Sequence, residues 1–317
     1  MMKDKIVVSV CMITYNHENY IREAIEGVLM QKTNFPIELI IGEDCSTDNT
    51  RAIVIEYANK YPQTIHTLLT VENVGMTKNF YKTLKAATGK YIALCEGDDY
   101  WIDSQKLQKQ VDFLEANEEY GLVHTNYTCI DGYGNAISKL NRNWPSGDVF
   151  NLIMSEKYYI VTASVMFRLN LNIINEFESS KVNFKMCDLN LWLKIAHASK
   201  VKYLADITTC YRILEKSASH SIGLSEVYSF HYDAFLVKQY IASKYITPFD
   251  KKKLLINLNE KMVKEAYLKK DYIVAKSFYQ KNFSMSKLTL FNLKTTLFFL
   301  GTRFSSVDKL INFIYKF

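Results

Sequence analysis

Three carboxylates lie within four residues near one third of the way along the chain. Glu96, Asp98 and Asp99 follow an apolar run, and Gly97 lets a ligand approach the backbone closely. Mutual repulsion disfavours such a group unless a cation or a bound donor offsets it. Mg²⁺ and Mn²⁺ prefer one or two carboxylates together with substrate phosphates. The cluster therefore predicts a divalent-cation site for a phosphorylated ligand, with an acidic surface loop before the helix at Ser104 as the alternative.

Two further polar segments follow predicted strands. Residues 14–17 follow the strand at 6–13, and residues 43–46 follow the strand at 37–42. In open α/β sheets, ligands bind at the carboxyl ends of the strands, so the polar segments are expected to converge on one crevice. The first strand lacks a glycine-rich phosphate loop after it. A metal at the acidic cluster is therefore expected to neutralise a donor diphosphate instead.

Hydrophobic periodicity predicts the elements that position these residues. Over residues 6–95, apolar runs typical of strands alternate with stretches of helical spacing. Such alternation predicts βαβ units and a Rossmann-like, mostly parallel sheet flanked by helices. Patterns typical of strands and of helices both continue to about residue 215, and only helical patterns follow over 224–317. The chain is thus predicted to contain an α/β domain at 1–215 and a helical C-terminal region at 216–317.

Composition restricts the class of protein and its partners. The 317 residues are 48% apolar and 23% charged, as in ordinary globular chains. The net charge of +6 comes from scattered Lys and Arg, so no nucleic-acid partner is expected. Six widely spaced cysteines predict free thiols in a reducing compartment. With no signal-peptide pattern and no long uncharged apolar stretch, the protein is expected in the cytoplasm.

Four segments resemble the family 2 glycosyltransferases of the GT-A fold. They are residues 8–16, 43–50, 87–93 and 96–101, and their order and spacing match as well. The resemblance covers about residues 6–215. It implies the GT-A fold and inverting transfer of a sugar from a nucleotide-diphosphate donor, usually a UDP-sugar. It also implies Mn²⁺ or Mg²⁺ as the cofactor, and bacterial surface-polysaccharide biosynthesis as the setting.

The resemblance implies donor-binding roles for seven residues. Tyr15 would stack on the base, and Asp44 would accept the N–H of that base. Glu96 would contact the ribose, and Asp98 would bind the metal. The other donor-binding positions are Ile13, Asn16 and Lys78, of which the last would lie near the diphosphate. Family members usually carry Asp at position 96 and Gly at position 45, and both departures keep the charge that the site needs.

A general base on the acceptor side is predicted at Asp188. An inverting displacement needs a base within hydrogen-bond reach of the attacking hydroxyl. Residues 186–192 resemble the family's E-D-x-x-L-W signature, in which the Asp is the base, although Cys187 replaces the Glu. Asp188 also begins an amphipathic helix whose dipole favours the anionic carboxylate, and helix capping alone is the alternative.

The acceptor-binding candidates are aromatic and basic residues. Trp101 and Trp192 are candidates for a platform under a sugar ring, with core packing as the alternative. Arg212 is a candidate contact to the acceptor or the diphosphate, with a structural salt bridge as the alternative. The expected acceptor is a glycan or a lipid-linked saccharide. The apolar and basic segment 288–317 suits peripheral contact with a membrane, packed helices or an oligomer contact.

Two other classes of function are alternatives to a glycosyltransferase. A nucleotidyltransferase on a similar fold needs a glycine-rich, basic phosphate loop after the first strand, which residues 14–18 do not supply. A non-catalytic glycan-binding or assembly subunit with a degenerate site is favoured by Cys187. The retained Asp98 and Asp188 oppose it, and nucleotide binding without turnover would support it.

Overall fold

The chain divides by its internal contacts into two compact units, Met1–Leu214 and Glu215–Phe317. The structure, a computed structural model, describes residues 5–138, 143–179, 184–214, 223–246 and 251–286. The six cysteines all lie in these ranges and are free thiols, as predicted.

The described part of the first unit is built around one nine-stranded sheet with helices against it. In chain order the strands are β1 Val8–Thr14, β2 Ile37–Glu43, β3 Ile65–Leu69, β4 Tyr91–Leu94, β5 Tyr100–Trp101, β6 Tyr120–Ile130, β7 Ala136–Ser138, β8 Val165–Arg168 and β9 Lys200–Arg212. The helices are α1 Ile21–Leu29, α2 Thr50–Lys60, α3 Met76–Lys85, α4 Lys106–Ala116, α5 Phe150–Met154, α6 Leu171–Ser179 and α7 Cys187–Ala198.

The order of the strands confirms the predicted α/β fold. The sheet runs β3-β2-β1-β4-β8-β6-β9-β5, with β7 paired to β6. Strands β1 to β4 are parallel neighbours, as the βαβ alternation predicts. β8 is antiparallel to both β4 and β6, so β6 and its parallel partner β9 return to the direction of β4. The carboxyl ends of the main strands therefore lie along one edge of the sheet.

The core of this unit lies between the sheet and the helices that cover it. Val10 and Met12 of β1 and Leu39 of β2 are fully buried, as are Ile21 and Ile25 of α1. Strands covered on both faces are continuously apolar, which explains the unbroken run of β4 and the apolar residues 39–41 of β2. This packing fixes the strand ends from which the polar loops emerge.

The region after β6 departs from the predicted elements. The two short strands predicted at 201–204 and 207–213 form the single strand β9, whose pairing with β6 shifts register near Asn126. The β-rich run predicted at 158–168 is a strand only over β8, because Thr162–Ser164 forms a turn of 3₁₀ helix. The short elements β7 and α5 and the helix α6 were not predicted, and neither was the two-residue strand β5 that precedes β6.

The second unit is helical in its described residues, as predicted. It contains α8 Leu224–Tyr245, α9 Lys251–Leu268 and α10 Tyr272–Ser286. Phe235 of α8 packs with Leu258 and Met262 of α9 in a small buried cluster. In the described ranges, no helix has both the length and the apolarity needed to cross a membrane. The predicted membrane or partner segment at 288–317 lies outside the described residues.

Candidate functional site

The carboxyl ends of β1, β2 and β4 are joined by backbone hydrogen bonds. The Gly97 N–H donates to the carbonyl of Ile13 at 3.0 Å, and the Asp44 N–H donates to that of Thr14 at 3.1 Å. A Cβ at position 97 would lie only 2.6 Å from Thr14 Oγ1 and 2.9 Å from His17 Nδ1. The acidic loop therefore needs glycine there, because it presses against the end of β1. The predicted convergence of the three polar segments is confirmed.

Side chains also tie the loop after β1 to the loop after β2. The Asn16 N–H donates to Ser46 Oγ at 3.0 Å, and the Thr47 N–H donates to Asn16 Oδ1 at 2.8 Å. Asn16 has a φ of 55°, a left-handed conformation that Asn tolerates. This turn leaves the Tyr15 side chain 41% exposed, and Ile13 before it is half-buried. Tyr15 is therefore available to a flat ligand, as the stacking prediction requires.

Asp44 holds the loop that leads into α3. Its Oδ1 accepts the N–H of Val74 and its Oδ2 accepts the N–H of Gly75, each at 2.9 Å. The residue is 2% exposed. Asp44 thus has a supporting role in this loop, and its contact with a base stays a prediction, because a carboxylate oxygen that accepts one hydrogen bond can accept a second. Lys78 is exposed in the first turn of α3, which this loop positions.

Cys45 occupies a backbone conformation that favours glycine. Its φ is 60°, and its thiol makes a weak contact to the carbonyl of Val71 at 3.5 Å. We expect Cys45→Gly to raise the free energy of unfolding by up to about 1 kcal/mol, because it removes left-handed strain. Urea denaturation measures the change. Cys45→Ala keeps the strain and serves as the control, and an equal gain in both variants would contradict this explanation.

The acidic loop concentrates negative charge at the cleft. Asp99 is buried, and its Oδ1 accepts the backbone N–H of Arg212 at 2.7 Å. Burial, and then the carboxylates of Asp98 and Glu96, hold the pKa of Asp99 well above its ordinary range. Burial, Asp98 and Asp188 raise the pKa of Glu96 in the same way. Four carboxyl groups thus share one environment that a cation would stabilise.

The donor set fits a cation that is shared with a phosphorylated ligand. Among the residues that the structure describes, no group of three or more His, Cys, Asp and Glu side chains is arranged to hold a metal. Glu96 and Asp98 are half-buried in the loop, whereas Asp99 is engaged by Arg212. Mg²⁺ is commonly bound through one or two carboxylates, with phosphate oxygens and water completing its coordination. Two available carboxylates meet that requirement.

Asp188 lies in the first turn of α7. The Thr162 hydroxyl donates to its Oδ2 at 3.2 Å, and the residue is half-buried. Its carboxylate contributes to the raised pKa of Glu96, which places the two groups in one electrostatic environment. The start of a helix favours an anionic carboxylate. The Asp188 carboxylate is thus within electrostatic range of Glu96, and its role as the general base stays a prediction.

Neither tryptophan is placed to bind a ligand. Trp101 is 1% exposed, and its indole N–H donates to the carbonyl of Ala163 at 2.7 Å. Trp192 is 3% exposed and packs edge-on against Phe167. Their burial corrects the prediction of an aromatic platform. Both are core residues, which was the alternative that the sequence left open.

Arg212 is also a residue of the interior. It is 4% exposed, and its guanidinium pairs with Glu23 at 2.6 Å. Its Nε donates to the carbonyl of Asp98 at 2.9 Å. The predicted contact of Arg212 with an acceptor is therefore corrected to the structural alternative.

Tyr159 is a further aromatic candidate for the site that was not predicted. Its side chain is 46% exposed, and burial of its hydroxyl followed by the Asp188 carboxylate raises its pKa. The preceding Tyr158 is buried, and its hydroxyl oxygen lies 2.7 Å from Nε2 of His124. Alternation in an extended segment places neighbouring side chains on opposite sides, so this pair carried a usable signal.

A comparison with protein-family models agrees with this geometry. The model of glycosyl transferase family 2 matches residues 9–175, which is more than half of the chain. The chain belongs to glycosyl transferase family 2. The match includes the ends of β1, β2 and β4 and stops before Asp188.

Curated relatives match the chain over part of their length. The uncharacterized protein Rv1520 of Mycobacterium tuberculosis is 51% identical over 111 residues, which are 35% of this chain and 32% of that protein. TuaG of Bacillus subtilis, named as a teichuronic acid biosynthesis glycosyltransferase, is 39% identical over 135 residues, which are 43% of this chain and 52% of TuaG. The chain thus spans about a third to a half of these relatives.

Solved structures of low sequence identity share the fold. Staphylococcus aureus TarS in complex with UDP-GlcNAc aligns with a TM-score of 0.58 and 17% identity, over 94% of this chain and 79% of that one. The mannosyltransferase PcManGT of Pyrobaculum calidifontis, in complex with GDP-Man and Mn²⁺, aligns with a TM-score of 0.52 and 15% identity, over 98% of this chain and 88% of that one. The predicted GT-A fold of this family 2 chain is confirmed.

Proposed function

We propose that the chain is an inverting glycosyltransferase that moves a sugar from a nucleotide-diphosphate donor, a UDP-sugar, to a hydroxyl of a glycan or lipid-linked acceptor. The observation that carries this proposal is the convergence of Tyr15, the acidic loop and Asp188 at one edge of the sheet. Membership of glycosyl transferase family 2 supports the class of reaction. The UDP-GlcNAc complex of TarS supports the class of donor.

On the donor side, each polar loop has a distinct role. Tyr15 stacks on the base at the end of β1, and Glu96 contacts the ribose. Asp98 would hold a divalent cation, and Lys78 at the start of α3 would lie beside the diphosphate. A bound Mn²⁺ or Mg²⁺ supplies positive charge that stabilises the leaving diphosphate. The raised pKa of Glu96 supports this assignment, since carboxylates kept this close favour a cation in their midst.

On the acceptor side, Asp188 is the general base. The acceptor oxygen forms a bond to the anomeric carbon while the bond from that carbon to the diphosphate breaks. The hydroxyl proton moves to a carboxylate oxygen of Asp188, and the nucleoside diphosphate leaves with the bonding electrons. Thr162 holds one carboxylate oxygen in place through its hydrogen bond. One displacement of this kind inverts the anomeric centre.

The proposed setting is the biosynthesis of a bacterial polysaccharide. TuaG is named for teichuronic acid biosynthesis, and its match to this chain supports the setting. Peripheral membrane contact through residues 288–317 would be compatible with a lipid-linked acceptor.

Position 187 bears on the alternative of a non-catalytic glycan-binding subunit. Cys187 stands where the family signature has Glu, and its thiol is buried. Burial, and then Asp188, raise the pKa of this thiol, so it stays neutral. The replacement therefore changes a buried position and leaves the half-exposed Asp188 in the cleft. Turnover distinguishes the two functions, because both include nucleotide binding.

Calorimetric titration of UDP and GDP, each with and without Mn²⁺, tests the donor site directly. We expect UDP to bind, and Mn²⁺ to strengthen its binding by about tenfold or more, since the cation joins the diphosphate to the carboxylates. Binding of GDP alone would move the proposal to a GDP-sugar. Failure of both nucleotides to bind under every metal condition would contradict the proposed function.

Tyr159 is expected to act on the acceptor. Tyr159→Ala should raise the KM for a saccharide acceptor by about fivefold, because packing against an aromatic ring stabilises a bound sugar by about 1 kcal/mol. Tyr159→Phe keeps the ring and should stay near wild type. Initial rates with a panel of p-nitrophenyl pyranosides, at saturating donor, measure the change. A raised Kd for UDP in Tyr159→Ala would instead place this residue on the donor side.

A further inference from the structure

We propose that Arg212 is a positioning residue that fixes the acidic loop for cation and donor binding. This inference rests on the proposed function, because it concerns how the same site is held. It differs from the predicted acceptor contact in that Arg212 acts through the loop and touches no substrate.

The contacts of Arg212 reach two successive residues of the loop from strand β9. Its backbone N–H donates to Asp99 Oδ1 at 2.7 Å, and its guanidinium Nε donates to the main-chain carbonyl of Asp98 at 2.9 Å. The arginine thus binds the backbone of Asp98 and the side chain of Asp99. Arg212 makes no bond to the Asp98 carboxylate, which stays available to a ligand in the cleft. The Asp99 carboxylate, by contrast, accepts a hydrogen bond inside the fold.

The rest of the guanidinium is anchored on elements outside the loop. Nη2 donates to Glu23 of α1 at 2.6 Å, and Nη1 donates to the carbonyl of Asp131, after β6, at 3.3 Å. The ring centroids of Tyr20 and Tyr100 lie 4.5 and 5.6 Å from its central carbon. Arg212 therefore connects α1, the turn after β6 and the acidic loop in one network.

Charge and shape both make arginine the suitable residue here. Carboxylates at positions 96, 98 and 99 repel one another, and Arg212 brings a positive charge to the loop through its bonds to Asp98 O and Asp99 Oδ1. A planar guanidinium offers five N–H donors in a fixed fork, whereas a lysine ammonium is a compact charge on a flexible stem. Lysine at this position would retain the positive charge, but its single ammonium group could not make the bonds to Asp98, Asp131 and Glu23 together. The loop would then lose its fixed register over Asp98.

Arg168 provides a matched control at the other end of β4. It also lies in a strand, β8, and donates to main-chain carbonyls, with Nε 2.9 Å from Tyr120 O and Nη2 3.2 Å from Asn117 O. Its guanidinium lies 5.6 Å from the Tyr91 ring centroid. Because Tyr91 begins β4 and the acidic loop follows the end of β4, Arg168→Lys disturbs the fold away from the site. Both substitutions are expected to lower the melting temperature.

Two measurements on the full chain test the inference. The first is hydrogen–deuterium exchange of residues 95–101, which we expect to be about tenfold faster in Arg212→Lys and unchanged in Arg168→Lys, as for the loss of one hydrogen bond to a charged group. The second is the ratio of the UDP dissociation constants without and with Mn²⁺. This ratio should fall towards one in Arg212→Lys and keep its wild-type value in Arg168→Lys.

The possible outcomes separate this inference from the proposed function. Unchanged loop exchange in Arg212→Lys, or equal changes in both variants, would overturn the positioning role. A wild-type Mn²⁺ ratio in Arg212→Lys would overturn it as well. If the wild type binds neither UDP nor GDP, the proposed function fails, and the exchange measurement still decides whether Arg212 fixes the loop.

Discussion

Asp98→Asn is expected to abolish the Mn²⁺-dependent part of UDP binding. The amide keeps the shape of the side chain and removes the negative charge that a divalent cation needs. We expect the dissociation constant with Mn²⁺ to rise by the factor by which Mn²⁺ strengthens binding in the wild type, about tenfold or more. Binding without metal should stay unchanged, because Tyr15 and the end of β1 are intact. Calorimetry with and without Mn²⁺ gives both constants.

The adjacent Asp99 supplies the matched control. Its Oδ1 accepts the N–H of Arg212, and an Asn side-chain oxygen at position 99 can accept the same bond. Asp99→Asn should therefore keep the Mn²⁺ effect that Asp98→Asn loses. Loss of that effect in Asp99→Asn with its retention in Asp98→Asn would exchange the roles of the two acids and contradict the assigned metal ligand.

The stability of Asp99→Asn should also differ from wild type in its dependence on pH. Because the pKa of Asp99 is raised in the folded protein, the folded state binds this proton more tightly than the unfolded chain does. The stability that this group contributes is therefore present at low pH and lost as the pH rises above the ordinary Asp range. Asn does not titrate, so Asp99→Asn should be at least as stable as wild type at neutral pH.

The convergence of the three polar segments could be predicted from sequence because its determinants are local. Each polar segment follows directly after a strand, and parallel strands bring their carboxyl ends to one edge. The spacing that placed residues 14–17, 43–46 and 96–99 together therefore needed no knowledge of distant contacts. Gly97 shows the same locality, since the close approach of the loop to β1 is what excludes a Cβ.

The acceptor half could not be predicted in the same way because its determinants are distant in sequence. Trp101 is buried because the two-residue strand β5 pairs with β9, where Trp101 lies opposite Thr209. A strand of two residues is too short to show the hydrophobic periodicity by which strands are predicted. Arg212 is likewise defined by Glu23 and the acidic loop, which lie more than a hundred residues before it. The residue types of Trp101 and Arg212 suggested contacts with a ligand, but tertiary packing buries both side chains in the interior.

The positions at which this chain departs from the family's sequence pattern can be explained only from their backbone conformation and burial. Glycine is usual where Cys45 stands, and the positive φ at that position explains the preference. The replacement of Glu by Cys187 changes a buried position, as its low exposure shows. Neither departure removes a carboxylate from the cleft, so both are compatible with the proposed chemistry.

Asp188→Asn is expected to lower kcat for sugar transfer by about 1000-fold, within the range that a positioned general base contributes. Asn is close in shape to Asp and can accept the hydrogen bond from Thr162, but it cannot take the proton of the acceptor hydroxyl. The Kd for UDP with Mn²⁺ should stay at its wild-type value, because Asp188 lies on the acceptor side. Single-turnover transfer from the UDP-sugar that the wild type uses measures the chemical step.

Thr162→Val is the matched control for this prediction. It keeps the volume of the side chain and removes the hydroxyl that donates to Asp188 Oδ2. We expect a loss of up to about tenfold in kcat, as for one hydrogen bond to a charged group. Full transfer activity in Asp188→Asn would eliminate Asp188 as the base. Tight UDP binding by the wild type with no transfer to any acceptor would favour the non-catalytic subunit, because nucleotide recognition would then be retained without the reaction that Asp188 is proposed to serve.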